Sequence, residues 1–386
     1  MKNFEYCVPT KIIFGKNTHL SVGETIKNLG YKKVLLHYGG GSIKTTGLYS
    51  RICDSLNEAR VVYTELGGVE PNPKLSFVKK GIEVCKNDHC DLILAVGGGS
   101  VIDSAKAIAV SMFATSDPWN FWLRKTSPTT ALPVGVVLTL AASGSETSSS
   151  AVITNEDGFW KRGFNSELIR PVFSILDPEL TYTVDRYQTG CGITDIMMHT
   201  IERYFSDSLQ TDLTDRLAEG LLKSVIDSGK IAIDNPENYE ARANLMWAGS
   251  LSHNDLTGLG RSTFMLCHKI EHELSGMYDS IAHGAGLSVI FPAWAKYVYS
   301  TDVERFCQYA QRVWDAPQDS NNPYKTAMYG ITATEEYFKS IGMPVRLSEF
   351  GISDMKIEEM AKKCGVLTWR TPLSEKEIIE ILELAT

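Results

Sequence analysis

Two pairs of residues that can bind metal ions lie at helical spacing in the second half of the chain. Asp195 and His199 are four residues apart, as are His268 and His272, so each pair shares one face of a predicted helix. His283 follows a short distance later. Three neutral imidazoles and one carboxylate suit a divalent ion such as Zn2+ or Fe2+, which also offsets the cost of burying an unpaired aspartate. Any single pair is more often an ordinary helix face, so the interpretation depends on their combination.

A glycine-rich segment that could bind phosphate stands between a predicted strand and a predicted helix. The strand ends at Gly97, two more glycines follow, and Ser100 with Asp103 is predicted to form a capping box at the helix start. Glycines let the backbone approach a phosphate, and a helix N-terminus offers amide N–H groups and a favourable dipole. The spacing is not G-x-G-x-x-G, so the usual dinucleotide fingerprint does not apply. The alternative interpretation is a simple turn before a well-capped helix.

A second glycine-rich segment follows an earlier strand and contains Gly39, Gly40, Gly41, Ser42 and Lys44. In dinucleotide-binding folds an acidic side chain near such a strand end binds the ribose hydroxyls and repels a 2′-phosphate. Here that place holds small residues, a hydroxyl and a lysine. Exposed amides with these side chains suit a phosphate, which favours NADP(H). A flexible glycine loop without a ligand is the alternative.

The order of predicted elements divides the chain into two domains. Up to about residue 185, strands alternate with helical stretches, which is typical of βαβ units in a parallel sheet with ligands beyond the strand ends. Beyond Tyr187 long stretches of helical period dominate, such as residues 212–232. We therefore predict a Rossmann-like α/β dinucleotide-binding domain over residues 1–185 and an all-helical metal-binding domain over 186–386, with the active site in the cleft between them. The predicted strands are residues 33–38, 60–64, 91–96, 133–138 and 172–176.

Composition narrows the class of protein. The 386 residues carry 38 Lys and Arg against 46 Asp and Glu, and this acidic balance argues against binding to nucleic acid or to anionic lipid. The N-terminus has no apolar signal region, and prolines and glycines interrupt the longest uncharged stretch, residues 126–145. Eight cysteines without a framework spacing predict reduced thiols in a cytoplasmic protein. Cys85 and Cys90 flank His89, which is weak support for a zinc site.

Taken together, these segments resemble the iron-containing (group III) alcohol dehydrogenase family, and within it the NADP-dependent butanol dehydrogenases. The resemblance covers nearly the whole chain and includes the histidine motifs above. Two departures stand out. The family's T-L-P-A-T-G-S-E segment lacks its proline here and has Ser143 in place of the second threonine, and the interval from His272 to His283 is one residue longer. The other matching segments are Phe14-Gly15, Pro71-Asn72-Pro73, Gly97 to Lys106, Leu140 to Thr147 and Leu176-Asp177-Pro178.

The resemblance implies a role for particular residues. Asp195, His199, His268 and His283 are the implied metal ligands, and His272 is the implied catalytic residue beside the metal. The pyrophosphate is expected at Gly98, Gly99 and Ser100, and the loop from Gly39 to Lys44 matches the members that use NADP. Arg162 could replace Lys161 in its charge role. The full implied cofactor set is Gly39, Gly40, Gly41, Ser42, Lys44, Asn72, Gly98, Gly99, Ser100, Asp103, Thr139, Ser143 and Lys161.

The implied function is a metal-dependent NADP(H)-linked alcohol dehydrogenase or aldehyde reductase that acts on short-chain primary alcohols and aldehydes of the butanol/butanal type. One divalent ion, Fe2+ or Zn2+, is expected, and no nucleic acid or membrane partner. The resemblance also implies a homodimer, with contacts through an N-terminal strand at residues 6–14. Trp119, Phe121 and Trp122 either wall an apolar substrate pocket or pack between domains.

Three alternatives remain from the sequence. The first two share the wider fold: a glycerol-dehydrogenase-like polyol oxidoreductase and a dehydroquinate-synthase-like cyclase. A cyclase needs a basic pocket for a phosphorylated substrate, and no cluster of basic residues adjoins the metal motifs. The third is a non-catalytic protein that binds nucleotide or metal, which would hold its ion in a closed coordination shell.

Overall fold

A computed structural model describes residues 1–207 and 210–386, and the contacts among them separate into two units. The sheet unit is Cys7–Val184, and the helical unit is Asp185–Thr386 together with Met1–Tyr6. The boundary predicted from sequence differs from this division by one residue and by the assignment of the N-terminal segment. Within the helical unit, the Lys2 amide donates to the Gly260 carbonyl oxygen at 2.7 Å.

The sheet unit alternates strands and helices. In chain order its elements are β1 (Lys11–Phe14), α1 (Val22–Asn28), β2 (Lys33–Gly39), α2 (Ser42–Thr45), α3 (Leu48–Glu58), β3 (Val62–Val69), α4 (Leu75–Asp88), β4 (Leu92–Gly97), α5 (Gly99–Ser111), α6 (Trp119–Trp122), β5 (Val134–Leu138), β6 (Ser150–Asn155), β7 (Trp160–Asn165) and β8 (Phe173–Leu176).

Six of these strands form one parallel sheet in the order β1-β8-β5-β4-β2-β3, and β6 pairs with β7 in a separate antiparallel ribbon. Strands β4, β5 and β8 are buried at every residue, as expected for a parallel sheet covered by helices on both faces. The predicted α/β class of this domain is confirmed.

The chain reverses its direction of travel across the sheet between β2 and β4. From β2 it proceeds to β3 on one side, and from β4 it proceeds to β5 on the other. In open α/β sheets the crevice at such a switch point, beyond the carboxyl ends of the strands, is where ligands bind. The two strands that border it end at Gly39 and Gly97, the starts of the two glycine-rich segments.

Two predicted strands have different bounds in the structure. The strand predicted over residues 60–64 is β3, which continues through Gly67 and Gly68 to Val69. The ring of Tyr38 on β2 occupies the space where a Cβ of Gly67 would stand. The glycine therefore serves the close approach of a neighbouring side chain. The N-terminal strand is shorter than predicted and occupies the sheet edge as β1, and the homodimer contact assigned to it stays a prediction.

The helical unit contains one short ribbon besides its helices, which qualifies the predicted all-helical domain. Its elements are α7 (Arg186–Tyr204), α8 (Asp212–Asp234), α9 (Tyr239–Ser252), α10 (Leu266–Met277), α11 (His283–Val298), α12 (Val303–Val313), α13 (Pro323–Ser340), α14 (Ile357–Cys364), β9 (Leu367–Trp369), β10 (Thr371–Leu373) and α15 (Glu375–Leu384). In the part of the chain that the structure describes, none of the helices is long and apolar enough to cross a membrane.

Helix α7 forms the centre of the helical unit and is buried from Thr189 to its last residue. Its N-terminus is capped by Asp185, whose carboxylate accepts from the amide of Gln188 at 2.8 Å. Its C-terminal carbonyl group, on Tyr204, accepts from the Arg305 guanidinium, which also makes a two-point ion pair with Asp215. Both ends are thus fixed, and so is any side chain that α7 presents.

His37 is a fully buried imidazole in the sheet core. On β2, its Nδ1 donates to the Leu66 carbonyl oxygen at 3.0 Å, and its Nε2 pairs with the Ser104 hydroxyl at 2.9 Å. Burial disfavours the imidazolium and lowers the pKa of His37 to about 4, although the bond to Leu66 opposes this shift. The ring is therefore neutral at pH 7.

His37 should make the protein less stable in acid. An unfolded chain protonates the ring near its usual pKa of 6.5, whereas the folded protein resists down to about pH 4. Between these values the unfolded state binds the extra proton, so stability falls as pH drops, by about 3 kcal/mol in total. Urea unfolding followed by circular dichroism from pH 7 to 4 should show a smaller loss in His37→Gln than in wild type. The matched change His89→Gln, at an exposed histidine, serves as control; equal slopes in all three proteins would contradict the assignment.

Candidate functional site

The four predicted metal ligands come together in the helical unit. Asp195 and His199 lie one turn apart on α7, His268 lies in the first turn of α10, and His283 is the first residue of α11. The first three side chains are at most 6% exposed, whereas His283 is 26% exposed. One side of the cluster is therefore more open than the rest.

The Asp195 carboxylate is the common neighbour of the three imidazoles. Its Oδ1 lies 3.3 Å from Nδ1 of His199, 3.6 Å from Nε2 of His268 and 3.8 Å from Nε2 of His283. Two ligands that bind one ion at ~2.1 Å in tetrahedral geometry stand about 3.4 Å apart. The observed separations are close to that spacing.

Two glutamates orient the imidazoles, and both were missed in the sequence. Glu202 on α7 accepts from Nδ1 of His268, and Glu271 on α10 accepts from Nδ1 of His283. A carboxylate bound to one ring nitrogen fixes the tautomer and leaves the other nitrogen as a metal ligand. The available signal was spacing, since each glutamate follows a predicted ligand by three residues and so shares its helix face.

The cluster has the polar atoms that a cation would satisfy. Within residues 1–207 and 210–386, Oδ1 of Asp195, Nδ1 of His199 and Nε2 of His268 are buried and have no hydrogen-bond partner. Leaving a buried polar atom unpaired costs roughly 1–3 kcal/mol each. The ligand atoms of these three residues also lie within 4.8 Å of one another. The residues present therefore fit a divalent metal ion.

Charge in the cluster also favours a cation. Burial lowers the pKa of His199 well below its ordinary value, and the neighbouring His253 and His268 lower it further. For His268, burial opposes protonation, but Glu202 and Asp195 outweigh it and raise the pKa to about 9. In the metal-free protein the negative charge of these carboxylates thus favours a proton on His268, and a bound metal ion would neutralise the same charge.

Two further imidazoles adjoin the ligands. The ring of His253, which follows α9, contacts that of His199 with centroids 4.0 Å apart and ring planes tilted by 34°. The predicted catalytic residue His272 lies 5.5 Å from His283 and 6.5 Å from His268, between ring centroids, so it stands beside the ligand group. The possible ligand atoms of His272, Glu271 and His283 lie within 4.8 Å of one another. His253 has no spacing relation to the other motifs, and the sequence offered no signal for it.

Two glycines allow α11 to bring His283 to this position. A Cβ on Gly284 would collide with the backbone of Cys191 on α7, and one on Gly286 would collide with the Glu271 side chain. The start of α11 can approach both neighbouring helices only because these residues lack side chains.

In the sheet unit, the segment around Gly98 has the geometry expected of a phosphate-binding loop. Gly98 is the N-cap of α5, and the first amide of this helix that bonds inward is that of Val101, to the Gly98 carbonyl oxygen at 3.1 Å. The amides of Gly99 and Ser100 therefore stand at the open helix N-terminus. The predicted capping box was wrong, since the Gly98 cap makes no side-chain bond and Asp103 bonds elsewhere.

The loop after β5 packs directly against this segment. The Thr139 amide donates to the Gly97 carbonyl oxygen at 3.1 Å, and Ser143 Oγ stands where a Cβ of Gly99 would be. The structure thus brings together the predicted residues Gly98, Gly99, Ser100, Thr139 and Ser143 at one edge of the sheet.

Two charged residues of α5 clamp the chain that follows this loop. The Lys106 ammonium is fully buried and donates to the carbonyl oxygens of Ser145, Ser148 and Ser150 at 2.5, 2.8 and 2.9 Å. The Asp103 carboxylate accepts from Ser145 Oγ at 2.6 Å and from the Val152 amide at 2.9 Å. Burial lowers the pKa of Lys106 to about 8, against the attraction of Asp103 and Glu146.

Of the two candidates on β7, Lys161 has the buried side chain, and its cofactor contact stays a prediction. Its side chain is only 5% exposed, and its charge lowers the pKa of Asp103 against the larger effect of burial. The Arg162 guanidinium, on the alternate face of the strand, lies over the exposed ring of Trp160 at 4.5 Å.

The second glycine-rich segment leads from β2 into α2. Gly41 is the N-cap of α2 with φ of 143°, and Ser42 and Lys44 lie in that short helix. The Lys44 ammonium lies over the rings of Tyr38 and Tyr49, at 5.2 and 4.9 Å, and both hydroxyls donate to Glu65. The hydrogen bond and charge of Tyr38, with a smaller contribution from Glu65, raise the pKa of Lys44. A positive charge therefore stands over the ring of Tyr38, the residue that precedes Gly39.

Asn72 lies beyond the carboxyl end of β3, where it is buried and has a left-handed φ of 53°. The aromatic residues considered for the substrate pocket pack within their own unit. Trp119 stacks on Trp122, and both Phe121 and Trp122 contact Phe164 of β7. This arrangement supports a packing role.

Comparison with known proteins places the chain in a family. Residues 9–178 match the family described as iron-containing alcohol dehydrogenase, and residues 189–386 match its C-terminal region. The chain is 43% identical over 389 residues to NADH-dependent butanol dehydrogenase A of Clostridium acetobutylicum, covering 99% of both proteins. It is 36% identical to the NADPH-dependent aldehyde reductase YqhD of Escherichia coli, covering 94% of this chain and 93% of the relative.

The fold of the whole chain matches as well. The crystal structure of NADH-dependent butanol dehydrogenase A from Thermotoga maritima superimposes with a TM-score of 0.96 at 38% identity, covering 100% of this chain and 99% of the other. The chain therefore belongs to the iron-containing alcohol dehydrogenase family, and the resemblance inferred from its motifs is confirmed. Because its relatives are named for either NADH or NADPH, their names do not decide between these cofactors.

Removing the Lys106 ammonium should destabilise the sheet unit. Lys106→Met leaves the serine carbonyl oxygens unpaired and Asp103 and Glu146 without their cation, so we expect the free energy of unfolding to fall by about 3 kcal/mol or more. Chemical unfolding at pH 7 measures the difference. The same change at Lys79, whose exposed ammonium pairs with Asp117 at 2.8 Å, should cost less than ~1 kcal/mol. Equal losses in the two variants would mean that the clamp does not hold the loop.

Proposed function

We propose that this chain catalyses reversible hydride transfer between NADP(H) and short-chain primary alcohols and aldehydes, with one divalent ion, Fe2+ or Zn2+, at the Asp195 site. The observation that carries the proposal is the convergence of buried polar atoms without hydrogen-bond partners on Asp195, His199 and His268, in a chain that belongs to a family of iron-containing alcohol dehydrogenases. A divalent cation would satisfy these buried atoms. The proposed hydride transfer requires no serine or cysteine nucleophile.

In the proposed site the protein holds the ion and keeps its ligands aligned. Asp195, His199, His268 and His283 are the ligands, of which His283 is the most exposed. A divalent ion held there polarises a carbonyl group or lowers the pKa of an alcohol. The protein keeps each imidazole in the tautomer that can bind the ion. For His268 and His283, a buried carboxylate that accepts from Nδ1 selects this tautomer.

We assign the cofactor to the switch point of the sheet. The amides of Gly99 and Ser100 bind the pyrophosphate at the N-terminus of α5, and Ser143 and Thr139 line the same loop. Asn72 and Lys161, which also belong to the sheet unit, are assigned to the same cofactor site. Bound NADP(H) supplies or accepts the hydride, so the part of these residues is to bind and orient it.

We assign His272 to the proton side of the reaction. Its ring stands beside His283 and His268 and is not part of the Asp195 ligand group. An imidazole in that position can hold a proton close to the reacting oxygen and exchange it with water.

The preference for NADP(H) is proposed from the segment between β2 and α2. The segment carries no acid that would repel a 2′-phosphate, and its Lys44 places an ammonium group over the ring of Tyr38, next to Gly39 in the chain. The amides of this loop and the Ser42 hydroxyl complete a set of donors suited to a phosphate. The butanol-type substrate is proposed from the names of the butanol dehydrogenases that the chain resembles.

The proposal is tested by absorbance of the reduced nicotinamide with butanal as substrate. NADPH and NADH are compared in parallel, with protein as purified, stripped of metal, and reloaded with Fe2+ or Zn2+. We expect metal-dependent oxidation of NADPH. No turnover with any metal would overturn the proposed substrate class; turnover of polyols, or phosphate release without change in absorbance, would favour the polyol oxidoreductase or the cyclase.

His268→Ala should remove the metal and with it the turnover. The change deletes one ligand and leaves Glu202 without its imidazole, so we expect metal affinity to fall by more than ~100-fold while NADPH binding is retained. Metal content, turnover and NADPH fluorescence titration measure these three properties separately. His89→Ala, in the sheet unit, is the matched control. Metal and turnover retained in His268→Ala would remove His268 from the ligands.

An acid at Gly40 should discriminate between the cofactors. A Cβ at Gly40 meets open space, and its φ is not in the left-handed region, so Gly40→Asp introduces charge without backbone strain. Repulsion of the 2′-phosphate should weaken NADPH by about ten-fold and leave NADH nearly unchanged. Gly40→Asn, equal in size but uncharged, is the control. An equal effect of Gly40→Asp on both cofactors would mean that this loop does not read the 2′-phosphate.

A further inference from the structure

Glu202 has more partners than the orientation of one imidazole requires. It lies on α7 one turn beyond His199, and only 3% of it is exposed. Its Oε1 accepts from the Cys267 amide at 2.6 Å, and its Oε2 accepts from the His268 amide at 3.2 Å and from Nδ1 of the same residue. One carboxylate on α7 therefore binds two backbone groups and one side chain of α10.

The two amides belong to the first turn of α10, where N–H groups have no partner within the helix. The N-cap of α10, Met265, makes no side-chain capping bond. Glu202 therefore caps α10 from another helix, and its negative charge faces the positive end of the α10 dipole. The same contact sets the rotation of the His268 ring, whose Nε2 is left facing Asp195 at 3.6 Å.

The comparison with Glu271 shows what is particular to this arrangement. Glu271 also accepts from the Nδ1 of a ligand, His283, but it lies on α10 and faces a ring that is 26% exposed. Glu202 is on the helix that supplies Asp195 and His199, and besides the imidazole of His268 it accepts from two backbone amides of α10, so it holds that helix as well as the ring.

We propose that Glu202 is a positioning residue of the metal site: by capping α10 and holding Nδ1 of His268, it fixes His268 against the two ligands of α7 and thereby sets metal affinity. This inference rests on the metal site of the proposed function. It assigns to Glu202 no contact with substrate or cofactor.

The experiment measures metal binding directly in the full-length protein. Metal-stripped wild type and Glu202→Gln are titrated with Co2+ alone, with the visible absorption of the bound ion as readout. The glutamine keeps the length of the side chain but loses the charge and one acceptor. We expect the dissociation constant for Co2+ to rise roughly 10- to 100-fold. A value within two-fold of wild type would overturn the inference.

Two controls separate positioning from general loss of structure. Glu273→Gln alters another buried glutamate of α10, which pairs with Lys363 at 3.6 Å, and should leave Co2+ affinity unchanged. In a His268→Ala background, Glu202→Gln should change the remaining Co2+ affinity by less than ~2-fold, because the ring through which it acts is gone. The same loss in both backgrounds would mean that Glu202 acts only on the fold.

Failure of this inference and failure of the proposed function have different signatures. Tight Co2+ binding by wild type without aldehyde reduction would reject the function and leave the role of Glu202 intact, whereas turnover with unchanged affinity in Glu202→Gln would do the reverse. Should Glu202→Gln not fold, Glu202→Asp replaces it. That variant keeps the charge but shortens the reach to Nδ1 by one methylene, and the same weakening of Co2+ binding is expected.

Discussion

The candidate metal site of the helical unit depends on one kind of contact, the hydrogen bond between a buried glutamate carboxylate and Nδ1 of an imidazole. In both His268 and His283 this bond engages Nδ1, and the other ring nitrogen, Nε2, faces the carboxylate of Asp195. Such a cluster is unfavourable unless a cation fills it and rigid helices hold it. The fixed ends of α7 and the glycines at the start of α11 supply that rigidity.

The sheet unit achieves alignment by different means. Its candidate site consists mainly of backbone amides, whose direction is set by the helix start at Gly98 and by the chain reversal between β2 and β4. The adjoining loop after β5 has no regular structure of its own, and Lys106 holds the chain beyond it by bonding carbonyl oxygens. The buried ammonium thus supplies the hydrogen bonds that the amides of a neighbouring strand would otherwise donate to these carbonyl oxygens. The proposed phosphate site would depend on this loop staying packed on Gly99.

Much of the fold and part of the site could be predicted because their signals are local. Strand and helix patterns indicated the parallel sheet and the helical region, and i, i+4 spacing identified Asp195 with His199. The contacts that complete the site lie far apart in the chain. Glu202 meets His268 across sixty-six residues, and its spacing after His199 indicates a shared helix face without identifying that partner. His253, whose ring contacts that of His199, has no periodic signature.

The errors of sequence interpretation share one physical cause, which is competition for the same local group by a distant partner. Asp103 has the right spacing to cap α5, yet its carboxylate forms stronger contacts with Ser145 and Val152 once the chain closes over it. The predicted strand stops at residue 64, before two glycines, yet β3 continues through Gly67, whose missing side chain leaves room for the Tyr38 ring. In both cases, the local preference was worth about 1 kcal/mol, and burial beside a second element outweighed it. A glycine or a capping residue near the end of a predicted strand therefore indicates that another segment of the chain approaches it closely. The sequence alone does not identify that segment.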